Sequence, residues 1–273
     1  MDQERSRYER GRSVLSEIEN DPGGSVLDDL AAFCPDLERL VVEFCYADVL
    51  DRPGLPRPER QLATVAALAA LGNAPSQLRF HTKGALNVGC APEHIIESLI
   101  QLTVYAGFPA ALNAVSAARD VFAEQGVVPT PARHQTDALS RFETGSTLLE
   151  KIDGTGGTAV ISSLSDIAPD LGRFIVEYSF GDVYARPGLS LRLRELVTVA
   201  ACTALGTCVP QLRIHMQGYL NVGGTTEELT EIIIQMAVYA GFPAALNALT
   251  QLRALLAEQE TPQQAASSPG SHG

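Results

Sequence analysis

The feature that most constrains this chain is that it is written twice. His81 and His215 are 134 residues apart. Applied without a gap, that offset lays Tyr8 on Phe142, Gly11 on Gly145, Pro35-Asp36-Leu37 on Pro169-Asp170-Leu171, and Arg52-Pro53-Gly54-Leu55 on Arg186-Pro187-Gly188-Leu189. Past the histidines it lays Asn87-Val88-Gly89 on Asn221-Val222-Gly223, and Tyr105-Ala106-Gly107-Phe108-Pro109 on Tyr239-Ala240-Gly241-Phe242-Pro243. Two copies are too few for a solenoid, which buries its faces by stacking three or more units. The reading is therefore a fused pair of domains forming a pseudo-dimer: repeat one over 7–125, a linker over 126–140, repeat two over 141–260 and a low-complexity tail over 261–273.

A chain of 273 residues suffices for two domains, and its 45% hydrophobic and 19% charged residues are those of a folded protein. The net charge of −12, with no lysine- or arginine-rich run, argues against nucleic acid and anionic membrane as partners. None of the five cysteines (Cys34, Cys45, Cys90, Cys202, Cys208) falls on a cysteine of the other repeat. That excludes a duplicated disulfide framework and points to a reducing, cytoplasmic setting. The N-terminus has no apolar signal segment. The uncharged run from Ile232 to Leu252 is long enough to raise the question of a membrane span, but its glutamines, Asn247, Gly241 and Pro243 favour a buried interface helix.

No stretch shows strand alternation, so the chain reads as all-α. A short helix over Tyr8–Asn20 stops at the turn Asp21-Pro22-Gly23-Gly24, and a second covers Asp36–Val49. The helix Glu59–Leu71 is alanine, valine and leucine on nearly every face, which places it at the centre of the domain. Pro75 opens the histidine helix, which runs to Gly89, and a further helix starts near Pro92. Thr225 followed by Glu228 predicts a capping box in repeat two.

Glu195 and His215 suit proton transfer, since an imidazole titrates near neutrality and a carboxylate in apolar surroundings can be tuned towards it. A lone histidine on an apolar helix is more often a satisfied core residue. The recurrence of His81 and His215 raises the functional reading. Glu195 sits near the open end of a helical hairpin and His215 on its second helix, so the two need not touch within one copy, and the expectation is a meeting across a domain or subunit interface. Repeat one has Gln61 where repeat two has Glu195, and glutamine cannot act as a base. Glu59 could replace it only through a slipped helix. Arg52 and Arg186, and Arg79 and Arg213, could hold a substrate carboxylate, against the plainer reading of interdomain or helix-end ion pairs. Tyr105 and Tyr239 are expected to pack at the interface, with Tyr239 within reach of substrate.

Repeat two resembles the carboxymuconolactone decarboxylase family in Phe180–Leu189 (FGDVYARPGL), Arg194–Gly206 (RELVTVAACTALG), Gln211–Gly223 (QLRIHMQGYLNVG) and Glu227–Leu249. The resemblance covers most of both repeats. It implies an all-helical fold of the alkylhydroperoxidase D-like type, a ring-like oligomer with active sites between neighbouring copies, and a cofactor-free reaction in which no metal is expected. The family's motif glutamate and histidine fall on Glu195 and His215. A related branch reduces peroxides with a C-x-x-C pair ahead of the histidine. Cys208 matches its first cysteine, but Gln211 occupies the second place, which puts a dithiol mechanism in doubt.

Three readings follow. The first is an enzyme, a decarboxylase or related lyase performing acid/base chemistry on a small organic acid or lactone with His215, Glu195 and His81 as its candidate groups, assembled as a trimer of pseudo-dimers. The second is a redox protein working through Cys208. The third is a non-catalytic binding protein, kept in play by the missing glutamate of repeat one.

Overall fold

A computed structural model of the chain describes residues 6–20, 25–130 and 140–266, and among them every regular element is a helix. Repeat one contains α1 (Arg7–Glu19), α2 (Asp28–Phe33), α3 (Pro35–Leu40) running on as a π-helix over Val41–Leu50, α4 (Arg57–Leu71), α5 (Pro75–Asn87), α6 (Pro92–Tyr105) and α7 (Phe108–Glu124). Repeat two contains α8 (Arg141–Ser163), α9 (Pro169–Phe174) with its π-helix Ile175–Tyr184, α10 (Leu191–Leu205), α11 (Val209–Asn221), α12 (Thr226–Tyr239) and α13 (Phe242–Ala266).

Local chemistry sets these boundaries. Ser6 with Glu9, Ser140 with Glu143 and the expected Thr225 with Glu228 form capping boxes that satisfy the free N–H groups opening α1, α8 and α12. Gly72 and Gly206 close α4 and α10 in the left-handed conformation. The uncharged run from Ile232 is split where α12 ends at Tyr239, and no helix of the described residues is long and apolar enough to cross a membrane. The turn Asp21-Pro22-Gly23-Gly24 and linker residues 131–139 lie outside the described residues. Of the expected tail, 261–266 continue α13, and 267–273 lie outside.

At the centre α4 packs on α10, and both are buried along almost their whole length. Their alanine-rich faces let two helices pack closely, and one continuous apolar core therefore runs through both repeats. The repeats are also locked by a polar network that obeys the 134-residue offset. Arg52 and Arg60 of repeat one both pair with Glu231 of repeat two, each at 2.7 Å. Arg186 and Arg194 of repeat two pair with Glu97 of repeat one, at 2.8 and 2.9 Å. Gln235 and Gln101 accept a further hydrogen bond from Arg60 and Arg194. These guanidinium groups, expected in part to hold a substrate carboxylate, grip the protein's own instead.

The repeats differ at their first helix. α1 ends where Asn20 turns left-handed (φ 46°), and Asn87 donates to the carbonyls of Ile18 and Glu19 that this leaves open. The equivalent of Asn20 is Gly154 (φ 55°), and Asn221 donates to the Ile152 carbonyl in the same way. In repeat two, however, the chain resumes a helix after the break and continues to Ser163, contrary to the expectation that the second copy repeats the first.

Candidate active site

Glu195 and His215 meet within one repeat. The Nδ1 atom of His215 lies 3.0 Å from Glu195 Oε2. This corrects the expectation of a meeting only across an interface. Glu195 is ten residues from the end of α10 and His215 six from the start of α11. At ~1.5 Å per residue the two differ in level by about one turn, which two long side chains span. Glu195 is fully buried and takes a second hydrogen bond from Tyr184, whose hydroxyl donates to Oε1 at 2.5 Å. Tyr184 is 2.8 Å from the Tyr105 hydroxyl, and the Tyr105 ring stands edge-on to His215 with centroids 4.9 Å apart. Because Tyr105 belongs to repeat one, the site is completed across the internal interface, as expected for that residue.

A third acid joins them that sequence reasoning missed. Asp153, the last residue before the break at Gly154, brings Oδ1 to 3.8 Å from His215 Nδ1, and that buried oxygen has no hydrogen-bond partner. Burial raises the Asp153 carboxyl to about 6, His215 opposes this and Glu195 adds to it. Burial pulls His215 down, but the charge and hydrogen bond of Glu195, helped by Asp153 and Cys208, outweigh it and lift the imidazole to about 9. Nδ1 is therefore a donor to Glu195, and the second ring nitrogen, Nε2, remains for a ligand.

Asp153, His215 and Tyr105 border a cavity of about 240 Å³ between α6, α8, the π-helix Ile175–Tyr184 and α11. Its walls are mainly apolar, with Leu149, Val160, Ile161, Ile175 and Phe180, and its polar lining is Asp153, His215, Tyr105, Ser179 and Gln211. The helix beyond Gly154 supplies Gly157, Val160 and Ile161, so the departure of repeat two from repeat one builds one wall. Ligand-type atoms of Asp153, Glu195 and His215 lie within 4.8 Å of one another, a spacing that could also hold a metal ion.

The corresponding place in repeat one is built differently. His81 Nδ1 lies 2.9 Å from Gln61 Oε1, an amide oxygen that can only accept from it. Burial drives the imidazole down to about 3. The Phe80 ring packs edge-on against it at 5.0 Å, where repeat two has Ile214, and Tyr239 stands on another side at 5.3 Å. Tyr239 thus faces His81 rather than the cavity beside His215. Tyr184 is replaced by Leu50. Glu19, the counterpart of Asp153, turns away to accept from Ser25 Oγ at 3.1 Å and Val26 N at 2.6 Å. Glu59 is held by Arg192 at 3.0 Å and takes no part.

Of the remaining expected residues, Arg186 and Arg52 are in the interdomain pairs, Arg213 pairs with Glu258, and Arg79 reaches Glu124 and Asp120. The plainer reading of these arginines is the one their contacts favour. Cys208 caps α11 with its sulfur 3.6 Å from the Cys202 carbonyl. A hydrogen bond from the Cys202 thiol lowers the Cys208 thiol, against the opposing effect of burial. Tyr184 could have been found from sequence as a position where one repeat has a phenol and the other, at Leu50, an aliphatic side chain. Asp153 could not, because Glu19 matches it in charge.

The chain has relatives among known proteins. The chain is 34% identical over 124 residues to a 4-carboxymuconolactone decarboxylase of Acinetobacter baylyi, covering 45% of this chain and 92% of that protein. It is 33% identical over 75 residues to a nitrosuccinic acid decarboxylase of Metarhizium robertsii, covering 28% of this chain and 52% of that one. Among solved structures, one titled a gamma-carboxymuconolactone decarboxylase subunit, from Burkholderia xenovorans, superposes with a TM-score of 0.58 at 23% identity. It covers 92% of this chain and 98% of its own, a likeness of fold. The family model for carboxymuconolactone decarboxylases matches twice, over residues 35–120 and 169–254, and with both repeats accounted for the chain belongs to the carboxymuconolactone decarboxylase family.

Proposed function

We propose that this protein is a decarboxylase-type lyase that acts on a small organic acid by acid/base chemistry, with one working site per chain, in repeat two. The observation that carries the reading is an imidazole fastened to a buried glutamate and flanked by an unpartnered aspartate at the wall of an apolar cavity. A substrate carboxylate placed against the apolar wall sheds its hydration, and its loss as neutral CO2 relieves that cost. The electrons of the broken C–C bond pass to an adjacent carbonyl as an enolate, and the Nε2 proton of His215 is delivered to carbon. Glu195 holds the imidazolium in register, and Tyr184 and Tyr105 hold Glu195. Asp153 in its protonated form donates to a substrate oxygen. A proton on His215 thus takes the position that a metal ion could occupy, and no cofactor is required.

The test is CO2 release from 3-oxo acids after exhaustive dialysis against a chelator. Undiminished turnover supports metal-free chemistry, and loss restored by a divalent cation overturns it. Assembly as a trimer of pseudo-dimers is part of the same proposal. Phe108 with Leu112, and Phe242 with Leu246, leave matching apolar patches exposed on the two repeats. Light scattering should give three chains per particle. A cytoplasmic setting is supported by five free cysteines.

One observation favours a second reading. The lowered Cys208 thiol beside Cys202 could reduce a peroxide, with Cys202 as the resolving thiol. Peroxide-dependent turnover that vanishes in Cys208→Ser would put this reading ahead of the first.

A further inference from the structure

The substrate carries a charge that the cavity must answer, and its lining limits which charges it can answer. Among the described residues no lysine or arginine borders the cavity. The guanidinium groups nearest in sequence to the site are committed elsewhere: Arg186 and Arg194 to Glu97, and Arg213 to Glu258. The imidazolium of His215 is already opposed by Glu195 at 3.0 Å. Asp153 contributes either a negative charge or, when protonated, a neutral donor. One incoming carboxylate can therefore be met by Nε2–H of His215 and by a protonated Asp153. A second would be buried with no counter-charge, which a low-dielectric site penalises. The rest of the lining is apolar and accepts hydrocarbon.

From the lining charges and the dimensions of the cavity we infer that its substrate is a monocarboxylate with an apolar body about the size of a single ring, and that dicarboxylates are excluded. This rests on the decarboxylase reading for the fate of the carboxylate, and on the cavity alone for its number.

Binding of benzoate and isophthalate, which share a ring and differ by one carboxylate, tests the inference by NMR titration of the full chain. Benzoate should bind at least ~10-fold more tightly and shift resonances of Val160, Ile161 and Ile214. In Val160→Arg, which sets a guanidinium on the wall, isophthalate should gain at least ~10-fold, with folding checked by circular dichroism. Isophthalate binding as tightly as benzoate to the unaltered protein, or no binding of benzoate at the cavity, would overturn the inference. The reaction is scored separately with benzoylacetate and oxaloacetate. Selective benzoate binding without CO2 release from either 3-oxo acid leaves the substrate class standing and removes the decarboxylase reading. Faster CO2 release from oxaloacetate does the reverse.

Discussion

At the scale of the residue, the two histidines show how neighbours decide what an imidazole can do. Both are buried, yet Glu195 and Asp153 lift His215 to about 9 while Gln61 and Phe80 leave His81 near 3. His215→Ala or Glu195→Gln should lower turnover ~10²–10⁴-fold. His81→Ala and Gln61→Ala should leave it within a few-fold, and equal losses for the two histidine variants would contradict the assignment. In a pH series, kcat/KM for a carboxylate substrate should decline as Asp153 ionises above about 6 and again as His215 loses its proton near 9. Asp153→Asn, permanently neutral and still a donor, should abolish the first decline and keep the second. The same imidazole bears on folding. Because its folded value is raised above the ordinary 6.5, its stabilising contribution is complete below that pH and is lost as pH rises through 9.

At the scale of the element, the close packing of α10, α11 and α8 rests on one glycine. A methyl group on Gly218 would meet Glu195 Oε2 at 2.9 Å, Ile152 at 3.1 Å and Asp153 Oδ1 at 3.2 Å. Its counterpart Gly84 would meet Ile18 at 2.5 Å. Gly218→Ala should therefore displace the carboxylates and cost ~10²-fold in turnover, since sub-ångström placement governs such sites. Gly84→Ala should destabilise by ~1–3 kcal/mol through overpacking and leave turnover unchanged. Denaturant melts and rates on the two variants separate these outcomes. The helices were legible in sequence because alanine-rich runs, prolines and glycines mark their boundaries. The two π-helices were not, since a 3.6-residue pattern over 36–49 fits either winding in so apolar a stretch. Glu195 and His215 were legible as residues, through the comparison of repeats. Their contact was not, because it depends on the level at which α10 and α11 cross. Asp153 was hidden because its role arises from the break at Gly154 and from a continuation of α8 that repeat one lacks.

At the scale of the whole molecule, the repeats are joined by buried ion pairs as well as by a shared apolar core. Glu97 is almost fully buried beneath Arg186 and Arg194. Glu97→Ala strands the fully buried Arg194 and should cost ~3–5 kcal/mol in chemical denaturation. Loss of less than ~1 kcal/mol would show that the network contributes registration rather than stability.

Tyr105 reaches from repeat one into the candidate site of repeat two. A duplicated enzyme that loses the chemistry of one half is ordinarily free to lose that half, but here the copy with glutamine in place of the glutamate supplies a tyrosine to its sibling's candidate site. Under the proposed function, the two halves are a catalyst and its permanent companion. Substitutions in repeat one should therefore be tolerated at His81 and penalised at Tyr105 and Glu97, so the two halves of one chain answer to opposite demands.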